Sequence, residues 1–77
     1  MSQRNETKVV VTFVQRLANS RNGNPRYELT TSAGQMRTGT DSGVGYELPN
    51  AFRVGEEINV SATIIRDGRG TVIGWEK

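Results

Sequence analysis

An all-β fold, a small five-stranded barrel, is predicted by three features of this 77-residue sequence. Apolar residues alternate with polar ones in runs separated by Gly-, Asn- and Pro-rich turns, the two-residue period of a strand with one buried face. The longest apolar run, residues 8–17, carries three consecutive valines, which disfavours helix. The stretch that breaks the period, residues 41–50, falls between the third and fourth strands and has room for one or two helical turns.

The length fits one domain with a single core. Residues 1–7 are polar and read as a flexible tail ahead of a domain spanning 8–77. The chain has no cysteine, so disulfides and thiolate metal sites are excluded, and no histidine, so the commonest metal ligand and general base are missing. Ten basic residues face eight acidic ones, and eight of the ten are arginine, whose planar fork suits phosphates, carboxylates and base edges. An arginine-favouring codon usage accounts for the same bias. No segment approaches the length of a membrane-spanning helix and the N-terminus has no apolar leader, so a cytoplasmic protein is expected, with no membrane partner and no cofactor.

In the first strand Val9, Val11, Phe13 and Leu17 share one parity and Val10, Thr12 and Val14 the other. Such a strand is covered on both faces or bent by a bulge, and Phe13 is assigned to the core. Asn22-Gly23 is read as the tight reversal that follows, both residues tolerating positive φ, with Pro25 delaying the next ladder. Tyr27, Leu29 and Thr31 then form an inward face, and Arg26, Glu28 and Thr30 an outward one. A turn at Ala33-Gly34 leads into a third strand with Met36 and Thr38 inward and Arg37 outward. Asp41 or Ser42 is positioned to cap the helical turn, which Pro49 ends. A long fourth strand, residues 56–66, places Ile58, Val60, Ala62 and Ile64 inside, and Asp67-Gly68 closes a hairpin into a last strand containing Ile73 and Trp75.

Five strands with a short helical connection between the third and fourth follow the order of an OB-fold barrel. An SH3-like barrel is the alternative. It would place its helical turn before the last strand, where Asp67-Gly68 leaves no space.

The string Asn19-Ser20-Arg21-Asn22-Gly23-Asn24-Pro25-Arg26-Tyr27, followed by Thr38-Gly39-Thr40-Asp41 and Gly45-Tyr46, resembles a group of small proteins in actinobacteria and their phages. The resemblance covers residues 11–74. It carries over no catalytic or binding residue; it implies a context, a small cytosolic protein that is phage-encoded and non-structural.

Two binding functions are open. Single-stranded nucleic acid is one, because OB barrels meet ligands on the outside of the second and third strands, between the loops that flank them. Arg26 and Arg37 map to that face, Arg21 to the first loop, and Arg66 and Arg69 to the second. Solvated surface is the plain alternative, and the aromatic platform that would stack bases is missing, since Tyr27 and Phe13 are read as inward. Protein binding, to a host factor or a second copy, is the reading preferred from sequence, with Ile65, Trp75 and Tyr46 as candidate anchors. Residues 19–25 serve either reading as an exposed loop, or simply as a hairpin connection. Catalysis is not expected. Glu56 and Glu57 are neighbours in a strand and point to opposite faces, and Asp41, Ser42 and Glu47 have no histidine to activate a nucleophile.

Overall fold

The computed structural model describes residues 4–39 and 43–77. Among these residues the chain is mostly β, with strands β1 (Asn5–Leu17), β2 (Arg26–Thr31), β3 (Gly34–Thr38), β4 (Glu57–Arg66) and β5 (Thr71–Glu76), and one helix, α1 (Val44–Ala51), between β3 and β4. One sheet contains all five strands in the order β1-β2-β3-β5-β4, and β4 pairs back onto β1, so the sheet closes in a ring. Every pairing is antiparallel except β3 with β5, which is parallel and rests on two partners, Arg37 with Thr71 and Thr38 with Val72. No helix among the described residues is long and apolar enough to cross a membrane.

β1 is the strand that joins the two halves. Its first part runs beside β4, from Asn5 opposite Arg66 to Val11 opposite Val60, and its second part runs beside β2, from Val11 opposite Thr31 to Leu17 opposite Arg26. The strand therefore starts three residues earlier than its apolar run, because residues 5–7 take their partners from Ile64, Ile65 and Arg66. Between Val11 and Phe13 the register shifts in both ladders. Such a bulge inserts one extra residue and turns the side chains that follow to the other face. Burial follows the shift: Val9 and Val11 are buried before it and Val14 after it, while Phe13 is half-buried and lies outside the core cluster. The assignment of Phe13 to the core is corrected accordingly.

The core is built from Val9, Val11, Val14, Tyr27, Leu29, Met36, Ala62, Ile64 and Val72 from the strands, closed by Leu48 and Phe52 from α1 and its C-cap. Thr38 is buried with them, and its hydroxyl accepts the Tyr27 backbone N–H at 3.0 Å where the β2–β3 ladder has ended. Trp75 packs edge-on against Phe52 with ring centroids 5.8 Å apart. Lys77 donates to the Ala51 carbonyl and places its ammonium over the Phe52 ring, which ties the end of β5 to α1.

The turns differ in detail from their sequence reading. In the first loop Gly23 donates its N–H to the Ser20 carbonyl, and in the last Gly70 donates to Asp67, both i to i+3. Gly23 and Gly70 have φ of 82° and 83°, and neither Asn22 nor Gly68 has positive φ. Each loop thus contains a four-residue turn with a left-handed glycine at its last position, not a two-residue Asn-Gly or Asp-Gly reversal. At the β2–β3 hairpin Thr31 faces Gly34, so Ser32 and Ala33 form the loop, with Gly34 taking the positive φ. The helix runs through Pro49 to Ala51 instead of ending there, and its N-cap is Gly43, without a side-chain cap. Asp41 and Ser42, the expected caps, lie outside the described residues.

α1 is seated on the first loop at close range. A Cβ added to Gly45 would fall well inside van der Waals contact with the Pro25 carbonyl, and the Tyr46 hydroxyl donates to Asn24 Oδ1 at 3.0 Å. Within the loop, Ser20 donates its N–H to the Asn24 carbonyl and accepts the Asn24 N–H on its hydroxyl. Residues 20–25 are therefore held from inside and from the helix.

Candidate nucleic-acid interface

Because Tyr27, Leu29 and Thr31 are buried, Arg26, Glu28 and Thr30 point outward from β2, and the same alternation turns Gln35 and Arg37 outward from β3. Strand register then places their neighbours. Phe13 stands between Thr30 of β2, which stands opposite Gln35, and Glu57 of β4; Gln15 stands opposite Glu28, which stands opposite Arg37; and Leu17 opposite Arg26. Directly paired residues share a face. The bulge has thus moved Phe13 out of the core and onto the same outward surface as Arg26 and Arg37, where it supplies an aromatic side chain that the sequence reading missed.

The flanking loops border this surface. Arg21 is exposed at the tip of the loop between β1 and β2. Thr71 stands beside Arg37, so the loop at residues 67–70 abuts β3, with Arg69 exposed on it. Asp67 in that loop has its carboxylate committed to backbone, accepting the N–H of Arg69 and of Thr71 at 2.9 and 3.0 Å.

The arginines differ in their engagements. Arg37 donates its Nε to Glu28 Oε2 at 2.7 Å, yet its side chain stays 63% exposed while that of Glu28 is 12% exposed. Arg26 is partly buried, with its Nε shielded from solvent and without a hydrogen-bond partner. Arg66 shares that feature but stands on β4, between Asn5 of β1 and Val72 of β5, so that β5 lies between it and β3. Arg16, not singled out from sequence, lies over the Tyr27 ring at 5.3 Å from its centroid and donates to Asn19. Of the five arginines expected to gather, Arg26 and Arg37 share the outward surface, Arg21 and Arg69 sit on its flanking loops, and Arg66 is elsewhere.

The candidate protein anchors separate. Ile65 is only 8% exposed and lies against Gly74, the residue opposite it on β5, so the expectation that it projects into solvent is corrected. Its parity is outward, but a partner residue without a side chain lets it lie down against the sheet. Trp75 is half-buried against Phe52. Tyr46 is 60% exposed. Ile73 was not singled out; it is the unpaired residue where the β4–β5 register shifts, and it is 42% exposed. Val44, Glu47, Ile73 and Trp75 line a hollow of about 280 Å³ between α1 and β5. A larger one, about 550 Å³, lies over β1 and β4 beside Lys8, Val10, Ser61 and Thr63, and contains none of the arginines. Among the described residues no group of three or more Asp or Glu side chains is placed to hold a metal ion.

No family model, curated protein or solved structure matches the chain.

Proposed function

We propose that the chain is an OB-like barrel that binds single-stranded nucleic acid on the outward surface of β1, β2 and β3. The fold half of this reading is supported by the strand order β1-β2-β3-β5-β4, the parallel β3–β5 contact, the helix between β3 and β4 and the bulge in β1. The functional half rests on one observation above the others: Phe13 shares a surface with Arg26 and Arg37. An aromatic face for stacking and cations for the backbone are the two components of single-strand recognition. Arg21 and Arg69, on loops either side, extend the cationic track.

Fluorescence anisotropy of a labelled mixed-sequence single-stranded oligonucleotide, at two salt concentrations, tests this. Binding weakens with salt, with a logarithmic slope of about −0.7 for each phosphate neutralised. The Arg21→Ala, Arg26→Ala double variant binds more weakly at low salt, and its slope is shallower by about 1.4, two contacts' worth. A flat titration at low salt with folded protein overturns the reading.

Tyr46 and Ile73, the large apolar side chains most exposed among the described residues, favour a second reading, in which a host protein or a second copy docks beside α1. That role suits a small phage-encoded protein in the cytoplasm of its host. It is distinguished by a Tyr46→Ser, Ile73→Ser variant, which loses partner binding under this reading and keeps oligonucleotide binding under the first.

A further inference from the structure

The central row of the outward surface runs across four strands as Gln15, Glu28, Arg37 and Thr71. A carboxylate next to Arg37 and two residues from Arg26 is unsuited to a phosphate, which it repels. Glu28 is also not free to swing aside, since its side chain is largely covered and held by Arg37 through Oε2 at 2.7 Å. A carboxylate has room for several more hydrogen bonds than the one Arg37 makes. Beside it, Arg37 engages only its Nε with Glu28, and the rest of its largely exposed fork points to solvent as a donor. An acceptor and a donor fixed side by side are complementary to a base edge, not to a backbone.

We infer that Glu28 and Arg37 read the Watson–Crick edge of a base that presents an amino group next to a ring-nitrogen acceptor. Resting on the nucleic-acid reading above, this makes cytosine and adenine the preferred bases. Glu28 accepts from the exocyclic amino group, as carboxylates do from cytosine N4, and Arg37 donates to the neighbouring ring nitrogen. In the same register thymine and uracil turn a carbonyl to the carboxylate and a ring N–H to the guanidinium; they and guanine fit only by shifting one step along the edge, to a ring N–H beside a carbonyl. Phe13 is one row away, in position to stack the same or the adjacent base, and the phosphates pass to Arg26 and the loop arginines at the rim.

Anisotropy titrations with oligo(dC), oligo(dA) and oligo(dT) of equal length, against the wild-type chain and Glu28→Gln, test the inference. The wild type binds oligo(dC) and oligo(dA) about tenfold more tightly than oligo(dT). Glu28→Gln keeps an oxygen for Arg37 and gains an amide donor that thymine O4 accepts, so oligo(dT) binding rises and the preference collapses. Equal wild-type affinity for all three, or a preference unchanged in Glu28→Gln, overturns the base-reading role and leaves general single-strand binding standing. Absence of binding to every oligonucleotide overturns both. Should Glu28→Gln fold poorly by circular dichroism, the wild-type comparison of oligo(dC) with oligo(dT) decides by itself.

Discussion

Gly45→Ala destabilises the fold by about 2–3 kcal/mol, as an overpacked site does. The sign is the informative part, because alanine inside a helix is ordinarily better than glycine by about 1 kcal/mol. Here the added methyl meets the Pro25 carbonyl, a backbone group that cannot rotate away, so α1 must lift from the loop or the loop must move. Neither is cheap: the loop is tied internally at Ser20 and Asn24, and lifting α1 exposes Leu48 and Phe52. A domain of this length has a total stability of about 4–12 kcal/mol, so the loss is a large fraction of it. Urea denaturation measures it, with Gly43→Ala as the control, since a Cβ there meets nothing within 4 Å. Equal midpoints for wild type and Gly45→Ala would show that α1 does not sit against Pro25 in this way.

Phe13→Ala lowers affinity for a single-stranded oligonucleotide by roughly 1–3 kcal/mol, about fivefold to 150-fold, the range for removing one stacking ring. Because Phe13 lies outside the core cluster, stability falls far less than for truncating a buried aromatic residue, which costs about 3–5 kcal/mol. Phe13→Leu sharpens the experiment. It keeps apolar area on the surface and removes the π-face, so stability is retained while affinity is still lost. If Phe13→Leu binds like the wild type, the ring is packing against Thr30 and its neighbours and stacks on nothing.

The strands with a strict two-residue period were legible from sequence. Tyr27, Leu29 and Thr31 go in, and Arg26, Glu28 and Thr30 go out, because an alternation that places every large apolar residue on one side leaves a strand one way to lie. β1 has apolar residues on both parities, and no local rule says where such a strand changes face. The bulge position is decided by two ladders at once, with β2 and with β4, and is therefore a tertiary property. This is why Phe13 was assigned to the core and the aromatic member of the candidate interface was missed. Ile65 failed for a different reason: its parity was read correctly, but its burial depends on the bare surface of Gly74 on the neighbouring strand. The helix was foreseen as an interruption between the third and fourth strands, yet Pro49 did not stop it, since tertiary contacts of Leu48 and Phe52 hold the last turn in place. The gathering of Arg26 and Arg37 was legible because it needed only alternation. The pairing of Arg37 with Glu28 needed the register of a hairpin whose turn is one residue earlier than Ala33-Gly34.

The parallel contact between β3 and β5 sets where the ring is weakest. Two residue pairs close the circle there, whereas β1 and β4 run together for most of their length. Local opening follows the fewest interactions, so the ring parts first along this line, with amide protons on either side exchanging ahead of those in β1. The line runs between Arg37 and Thr71, through the row that faces outward at the candidate interface. A strand of nucleic acid laid across that row would span the opening and act as a staple, so occupancy of the surface and closure of the ring become linked equilibria.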